Sequence, residues 1–153
     1  MNQTSLSLCA LGLLLAAACD ADAQCRKFTK QRVISSLDVD QAIDQIKTGT
    51  LGRGESAAAV LEVEASGTVD LIICTHPDLG EVTYNVVNTA GRKVTQGSTN
   101  GSMTQVAVEV EAEQDLIVHV ASERASGAYA PIGCVSLVTA HSTPNELDIL
   151  SKE

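Results

Sequence analysis

The chain has 153 residues, a length that suits one globular domain and leaves little room for a second. Its formal net charge is −9, and it contains two Tyr, one Phe and no Trp, so it lacks both the positive surface that attracts phosphate backbones and the rings on which bases stack. Nucleic acid is therefore not expected as a partner, and any core must consist mainly of Val, Ile, Leu and Ala.

Residues 1–23 are predicted to be a cleavable signal peptide. Leu6–Ala18 is an apolar stretch that is too short for the roughly 20 residues of a membrane-spanning helix and has the length of a signal-peptide core. The small residues at its end predict cleavage between Ala23 and Gln24. Basic residues follow this segment instead of preceding it, which is unusual for a signal. The sequence thus favours a secreted or cell-envelope location without a transmembrane span.

A second form of processing is open at Cys19. The run Ala16-Ala17-Ala18-Cys19 resembles the lipobox of bacterial lipoproteins, in which the cysteine is lipidated and becomes the N-terminus. This alternative predicts an accessory lipoprotein held at the envelope by a lipid anchor instead of a released protein.

Three cysteines lie beyond the predicted signal: Cys25, Cys74 and Cys134. An oxidising compartment allows one bridge among them and leaves one thiol. Cys74 and Cys134 lie in apolar, strand-like runs, so a bridge between them is the preferred prediction, with unpaired buried thiols as the alternative. The spacing lacks the C-x-x-C pattern of zinc sites, and no cofactor is expected.

Residues 24–56 are predicted to form a basic leader, a short helix and a glycine-rich loop. The leader contains Arg26, Lys27, Lys30 and Arg32. Asp38 is a candidate helix N-cap, and the apolar residues that follow share one helical face: Val39, Ala42, Ile43 and Ile46. The glycines at 49, 52 and 54 end this helix.

Residues 57–140 are predicted to form an all-β domain. Apolar residues alternate with polar ones in several short runs, of which Leu61–Ala65 and Val82–Val86 are examples. Turn signals separate the runs, and Asn100-Gly101 is typical of a tight hairpin. About seven short strands predict an antiparallel β-sandwich or a jelly-roll-like fold, followed by a polar tail over 141–153.

The order of these runs resembles that of pre-peptidase C-terminal domains, small β-sandwich modules attached to secreted bacterial enzymes. The resemblance spans residues 57–139 and is carried by Thr68–Ile73, Val82–Val86, Leu116–Val120 and Gly127–Tyr129. It implies a β-sandwich that acts as a binding module, and it assigns no functional residue.

Four glutamates on two predicted strands are weak candidates for a calcium site: Glu62, Glu64, Glu109 and Glu111. If the two strands are neighbours, their like charges need a cation such as calcium between them. The preferred interpretation is two solvated faces on different sheets.

No catalytic grouping stands out in the sequence. A small hydrolase that uses His76, Asp78 and Glu81, which fall in one predicted loop, is the weaker alternative. The leading hypothesis is a secreted or envelope-associated, non-catalytic β-sandwich, a binding or structural module for a protein or an extracellular surface.

Overall fold

The computed structural model describes residues 23–38, 40–64, 66–101, 103–124 and 131–142. Residues 23–33 form an α-helix, α1, and 3-10 turns follow at Ile34–Ser36 and Pro77–Leu79. The strands are β1 (Gln41–Gly52), β2 (Ser56–Val63), β3 (Gly67–Thr75), β4 (Glu81–Asn88), β5 (Lys93–Asn100), β6 (Met103–Val110), β7 (Gln114–Ser122) and β8 (Ile132–Ser142). Over these ranges no helix is long and apolar enough to cross a bilayer.

The strands form two four-stranded sheets whose pairs are all antiparallel. Sheet A has the order β1-β8-β3-β6, and sheet B has the order β2-β7-β4-β5. This order is that of an eight-stranded jelly roll, in which consecutive strands alternate between sheets at most connections. The predicted all-β class and jelly-roll-like arrangement are confirmed.

The main core lies between the two sheets. Side chains alternate along each strand, so every second residue points inward. From sheet A, Leu71 and Ile73 are fully buried, and from sheet B Val82, Val86 and Val118 meet them. The aliphatic composition thus provides the core that the sequence predicted.

Helix α1 creates a second apolar layer on the outer face of sheet A. Cys25, Thr29 and Val33 follow one another at four-residue spacing, lie on one helical face and are buried. That face covers Ile72 and Val138. Because sheet A is covered on both sides, β3 and β8 contain continuous buried runs, Leu71–Thr75 and Val135–Ala140, instead of a strict alternation.

The predicted helix that starts at Asp38 is wrong, since this segment forms strand β1. Ile43 pairs with Ala140 and Ile46 pairs with Val138, with a register shift between Ile43 and Gln45. The bulge inserts one extra residue, so two isoleucines three positions apart lie on the same face of a strand. A spacing of three is also typical of one face of a helix, which explains the wrong prediction. The first strand thus begins at Gln41, and the predicted start of the β domain at residue 57 is too late.

The turn predicted at Asn100-Gly101 exists, but it does not form a hairpin. Gly101 has a positive φ of 59°, the conformation that glycine adopts without steric cost. The strands on either side, β5 and β6, belong to different sheets. The turn therefore carries the chain across the sandwich. By contrast, the segment Asn88–Gly91 does form a hairpin turn, between the paired strands β4 and β5.

The predicted Cys74–Cys134 bridge is wrong, because Cys134 is bonded to Cys25 and Cys74 is a buried free thiol. Cys74 pairs across the strands with Ser136, so Cys134 is only a diagonal neighbour. Diagonal positions in a sheet lie about 7–8 Å apart, farther than a disulfide normally spans. Helix α1 instead places Cys25 directly above Cys134, with the two Cα atoms 5.3 Å apart.

The stability of the protein is expected to fall above about pH 9 because of Cys74. Burial raises the pKa of the Cys74 thiol above its ordinary value of 9.0, and the charge of Arg32 opposes this shift in part. The unfolded chain releases this proton first, so the stabilisation is complete below the unfolded pKa and is lost as pH rises through the folded pKa. Urea unfolding between about pH 8 and pH 10.5 is the measurement, and Cys74→Ala is expected to show a shallower decline. Parallel declines of the two proteins would contradict the prediction.

Several predictions fall partly outside the described residues. The apolar part of the predicted signal, Cys19 and residues 143–153 lie there, and their processing and anchoring remain predictions. Ala23 and Gln24, the predicted cleavage site, lie at the described start of α1. His141 and Ser142, predicted to begin the polar tail, are the last residues of β8.

Candidate functional site

The outer face of sheet B, unlike that of sheet A, is solvent-exposed and carries polar side chains in register across its strands. Cross-strand pairing joins Ala58 to His119, His119 to Asn85, and Asn85 to Gln96. These four residues form the imidazole–amide row. His119 and Gln96 are exposed, as the alternation of β7 predicted for His119.

A second row consists only of small side chains: Ser56, Ala121, Thr83 and Ser98. Because these side chains are short, the surface is recessed along this row. A groove of about 760 Å³ lies over it and over the imidazole–amide row. Such a depression has the size of a small-ligand pocket or of the seat for a few residues of a protein partner.

A third row on this face is aliphatic. It contains Val60, Ile117 and Val87, and it ends at Lys93 on the edge strand β5. Val60 is 46% exposed. We call the three rows together the binding face. Lys93 is the one Lys, Arg, Asp or Glu residue in these rows, and Glu81 lines the groove at its border.

The amide of Asn85 contributes an unsatisfied hydrogen-bond acceptor in this groove. Its Oδ1 atom is buried and has no hydrogen-bond partner among the described residues. A buried acceptor without a partner costs about 1–3 kcal/mol.

No aromatic side chain of the described residues lies on the binding face. Tyr84 points into the core and is 7% exposed. Gly97 leaves room for its ring, since an added Cβ at Gly97 would lie 2.5 Å from Tyr84 Oη. The face therefore offers hydrogen bonds and aliphatic contacts, and it offers no ring on which a sugar could stack.

The four glutamates proposed for calcium are not brought together. Glu62 lies on β2 at the edge of sheet B, whereas Glu109 lies on β6 at the edge of sheet A. Glu109 Oε1 accepts a hydrogen bond from Thr68 Oγ1 at 2.6 Å. Among the described residues no group of three His, Cys, Asp or Glu side chains has the geometry to hold a metal ion. The preferred interpretation, two solvated faces on different sheets, matches this arrangement.

The residues proposed for hydrolysis form a turn. His76 Nδ1 accepts a hydrogen bond from the Asp78 backbone N–H at 3.2 Å and lies 3.5 Å from Asp78 Oδ2. The imidazole thus caps the 3-10 turn Pro77–Leu79. Glu81 begins the next strand. These side chains have a local structural role that accounts for their proximity.

The binding face as a whole could not be predicted from the sequence, although part of it leaves a signal there. Alternation showed that Thr83 and Asn85 point away from the core. It did not show that His119 and Gln96 flank Asn85, because cross-strand register depends on the fold. The usable signal was the set of uncharged outward positions in the middle of β2, β4 and β7, in a chain of net charge −9.

Comparisons with known proteins give distant structural likenesses. No protein-family model matches the chain. No curated protein sequence matches it either. A periplasmic inhibitor of g-type lysozyme from Aeromonas hydrophila is 14% identical with a TM-score of 0.41, over 65% of this chain and 84% of the inhibitor.

Two further structures have lower scores. A CBM36-1 domain of a multidomain xylanase from the hindgut metagenome of Trinervitermes trinervoides is 12% identical with a TM-score of 0.36, over 69% of this chain and 93% of that domain. A subunit of the disulfide-linked pili of Bacillus endospore appendages is 14% identical with a TM-score of 0.36, over 71% of this chain and 97% of the subunit. Likenesses at this level carry no function to this chain.

Proposed function

We propose that this protein is a non-catalytic binding module whose binding face on sheet B contacts a partner protein. The observation that carries the proposal is the composition of that face: three adjacent rows of small, amide and aliphatic side chains in a chain of net charge −9. The centres of protein interfaces are depleted of charged residues and combine apolar contacts with hydrogen bonds. A protein partner fits this surface better than a polysaccharide, because the face has no aromatic side chain among its described residues.

The proposal includes a location outside the cytoplasm. The Cys25–Cys134 disulfide supports it, since such bonds persist mainly in secreted and envelope proteins. A lipid anchor at Cys19 is the alternative to release. Intact-mass measurement of the purified mature protein distinguishes the two, since cleavage before Gln24 removes Cys19.

The proposal is tested with a variant that places a charge in the groove. Ala121 lies in the small-residue row, between Ser56 and Thr83. In Ala121→Glu, a carboxylate would stand where an uncharged interface needs close contact, so a specific partner is expected to lose at least about tenfold in affinity. The immobilised protein is incubated with secreted and envelope proteins of its source organism, and retained proteins are identified by mass spectrometry.

Ala112→Glu is the matched control, because it introduces the same charge at an exposed loop position between β6 and β7. A partner that both the unmodified protein and Ala112→Glu retain, and that Ala121→Glu releases, supports the proposal. Retention of the same partners by both variants, or retention of an insoluble polysaccharide and no protein, would refute it.

A further inference from the structure

At one edge of sheet B, no strand of the described residues pairs with the outer side of β2. The segment Ser56–Val60 contains Ser, Ala and Val only, and it lacks the devices against strand addition that the edges at β1 and β5 carry. Strand β1 has a bulge and Lys47, and strand β5 has a bulge and Lys93. The edge of β2 is thus an open template for an incoming strand.

Two hydrogen bonds show which backbone groups of β2 face outward at this edge. Ser122 N–H donates to the Glu55 carbonyl at 3.0 Å, so the backbone carbonyl of Glu55 faces β7. Glu62 N–H donates to Gln45 Oε1 at 3.3 Å, so the backbone N–H of Glu62 faces away from β7. Because these directions alternate along a strand, the N–H and C=O groups of Ala58 and Val60 also point to the free edge.

An apolar slot opens beside this edge, between β1 and β2. Its volume is about 160 Å³, close to that of an apolar cavity that binds benzene. The slot exists because Gly49 on β1 has no side chain, and a Cβ added there would meet nothing within 4 Å. Ala59 on β2 contributes only a methyl group, and core side chains line the slot as well: Val120, Val135 and Leu137.

We propose that an extended strand of a partner protein adds to the free edge of β2. Its backbone would bond to Ala58 and Val60, and its residue opposite Ala59 would point inward, because paired residues share a face. That residue would fill the slot with an aliphatic side chain. This edge adjoins the binding face, with which it shares Ala58 and Val60, but the slot lies on the opposite side of β2, between β1 and β2.

The charges near the slot indicate the sequence of the incoming strand. Lys47 is exposed, lines the slot and also borders a cleft of about 530 Å³ between α1 and β1. Lys30 lies on the helix side of the same cleft. In a chain of net charge −9, this local positive charge favours an acidic side chain beside the aliphatic one. The expected ligand is therefore an extended segment with an aliphatic residue next to Glu or Asp.

A blocked synthetic peptide that alternates isoleucine and threonine, with a glutamate at each end, is the probe. It is titrated into the whole protein and followed by amide chemical shifts. Shifts are expected at Gly49, Ala59 and Val60. Gly49→Val is expected to reduce affinity about tenfold or more, because its side chain occupies the slot, and to raise the melting temperature.

Ala58→Pro is the second variant. It removes an N–H that points away from β7, so the β2–β7 pairing stays intact, and affinity is expected to fall at least about fivefold. If this variant does not fold, Gly49→Val decides. The same peptide with serine in place of isoleucine is expected not to bind.

The inference is overturned if the peptide does not bind, if it binds folded Gly49→Val or folded Ala58→Pro with unchanged affinity, or if shifts are confined to Gln96 and Ser98 on the binding face. Ala121→Glu, which affects only the groove, is expected to leave peptide affinity unchanged. Failure of this inference and failure of the proposed binding face can therefore be told apart.

Discussion

Replacing Cys25 and Cys134 together by alanine is expected to lower the free energy of unfolding by about 2–5 kcal/mol. The two residues are 109 positions apart in sequence, and in the chain-entropy model a loop of about 100 residues corresponds to about 4.7 kcal/mol. The bridge also holds α1 on sheet A, so its loss is expected to expose part of the apolar layer around Ile72. Urea unfolding followed by circular dichroism measures the change.

Cys74→Ala is the matched control, because it removes the third described cysteine and leaves the bridge in place. A reductant is expected to destabilise the unmodified protein and Cys74→Ala to a similar extent. It is expected to have little effect on the double variant. If Cys74→Ala instead abolished the response to the reductant, the bridge would involve Cys74, and the placement of α1 would be wrong.

Ile72→Ala is expected to lower the free energy of unfolding by about 2–5 kcal/mol, the range for truncation of a fully buried side chain. Ile72 lies on the outer face of sheet A and is 0% exposed because α1 covers it. On a bare outer face the same truncation would remove few contacts. The loss of stability in Ile72→Ala thus reports how closely α1 packs on sheet A. Chemical denaturation measures this loss.

Ile117→Ala is the matched control on the outer face of sheet B. Ile117 is half-buried and belongs to the aliphatic row of the binding face, so less than about 1 kcal/mol is expected from its truncation. Equal losses from Ile72→Ala and Ile117→Ala would contradict the layer formed by α1. In the double cysteine variant, Ile72→Ala is expected to lower the free energy of unfolding by less than it does in the unmodified protein, because α1 is then held less tightly on sheet A.

Much of the fold could be read from the sequence because alternation reports burial directly. In β4, Val82, Tyr84 and Val86 point into the core and Thr83 points out, as the period of two predicts. The same logic failed in β1, where the bulge between Ile43 and Gln45 changes the period to three. A bulge is a property of strand pairing, so a single strand does not reveal it.

Less of the candidate site could be predicted, because its parts come from distant strands. His119 and Asn85 are 34 positions apart in sequence, yet they are cross-strand neighbours. The slot depends on Gly49 and Ala59 facing one another across the seam of two sheets. Neither relation has a local signal, since both depend on strand order and register.

The cysteines show the same division between local and distant information. The sequence by itself determined an aliphatic, acidic, β-rich domain whose three cysteines allow one bridge, because composition and alternation act locally along the chain. Only the tertiary structure decided that Cys25 is bonded to Cys134, that α1 covers sheet A, and that small, amide and aliphatic side chains from four strands meet on the outer face of sheet B. These features arise when segments far apart in sequence meet, and their positions are fixed by how the two sheets and the helix pack.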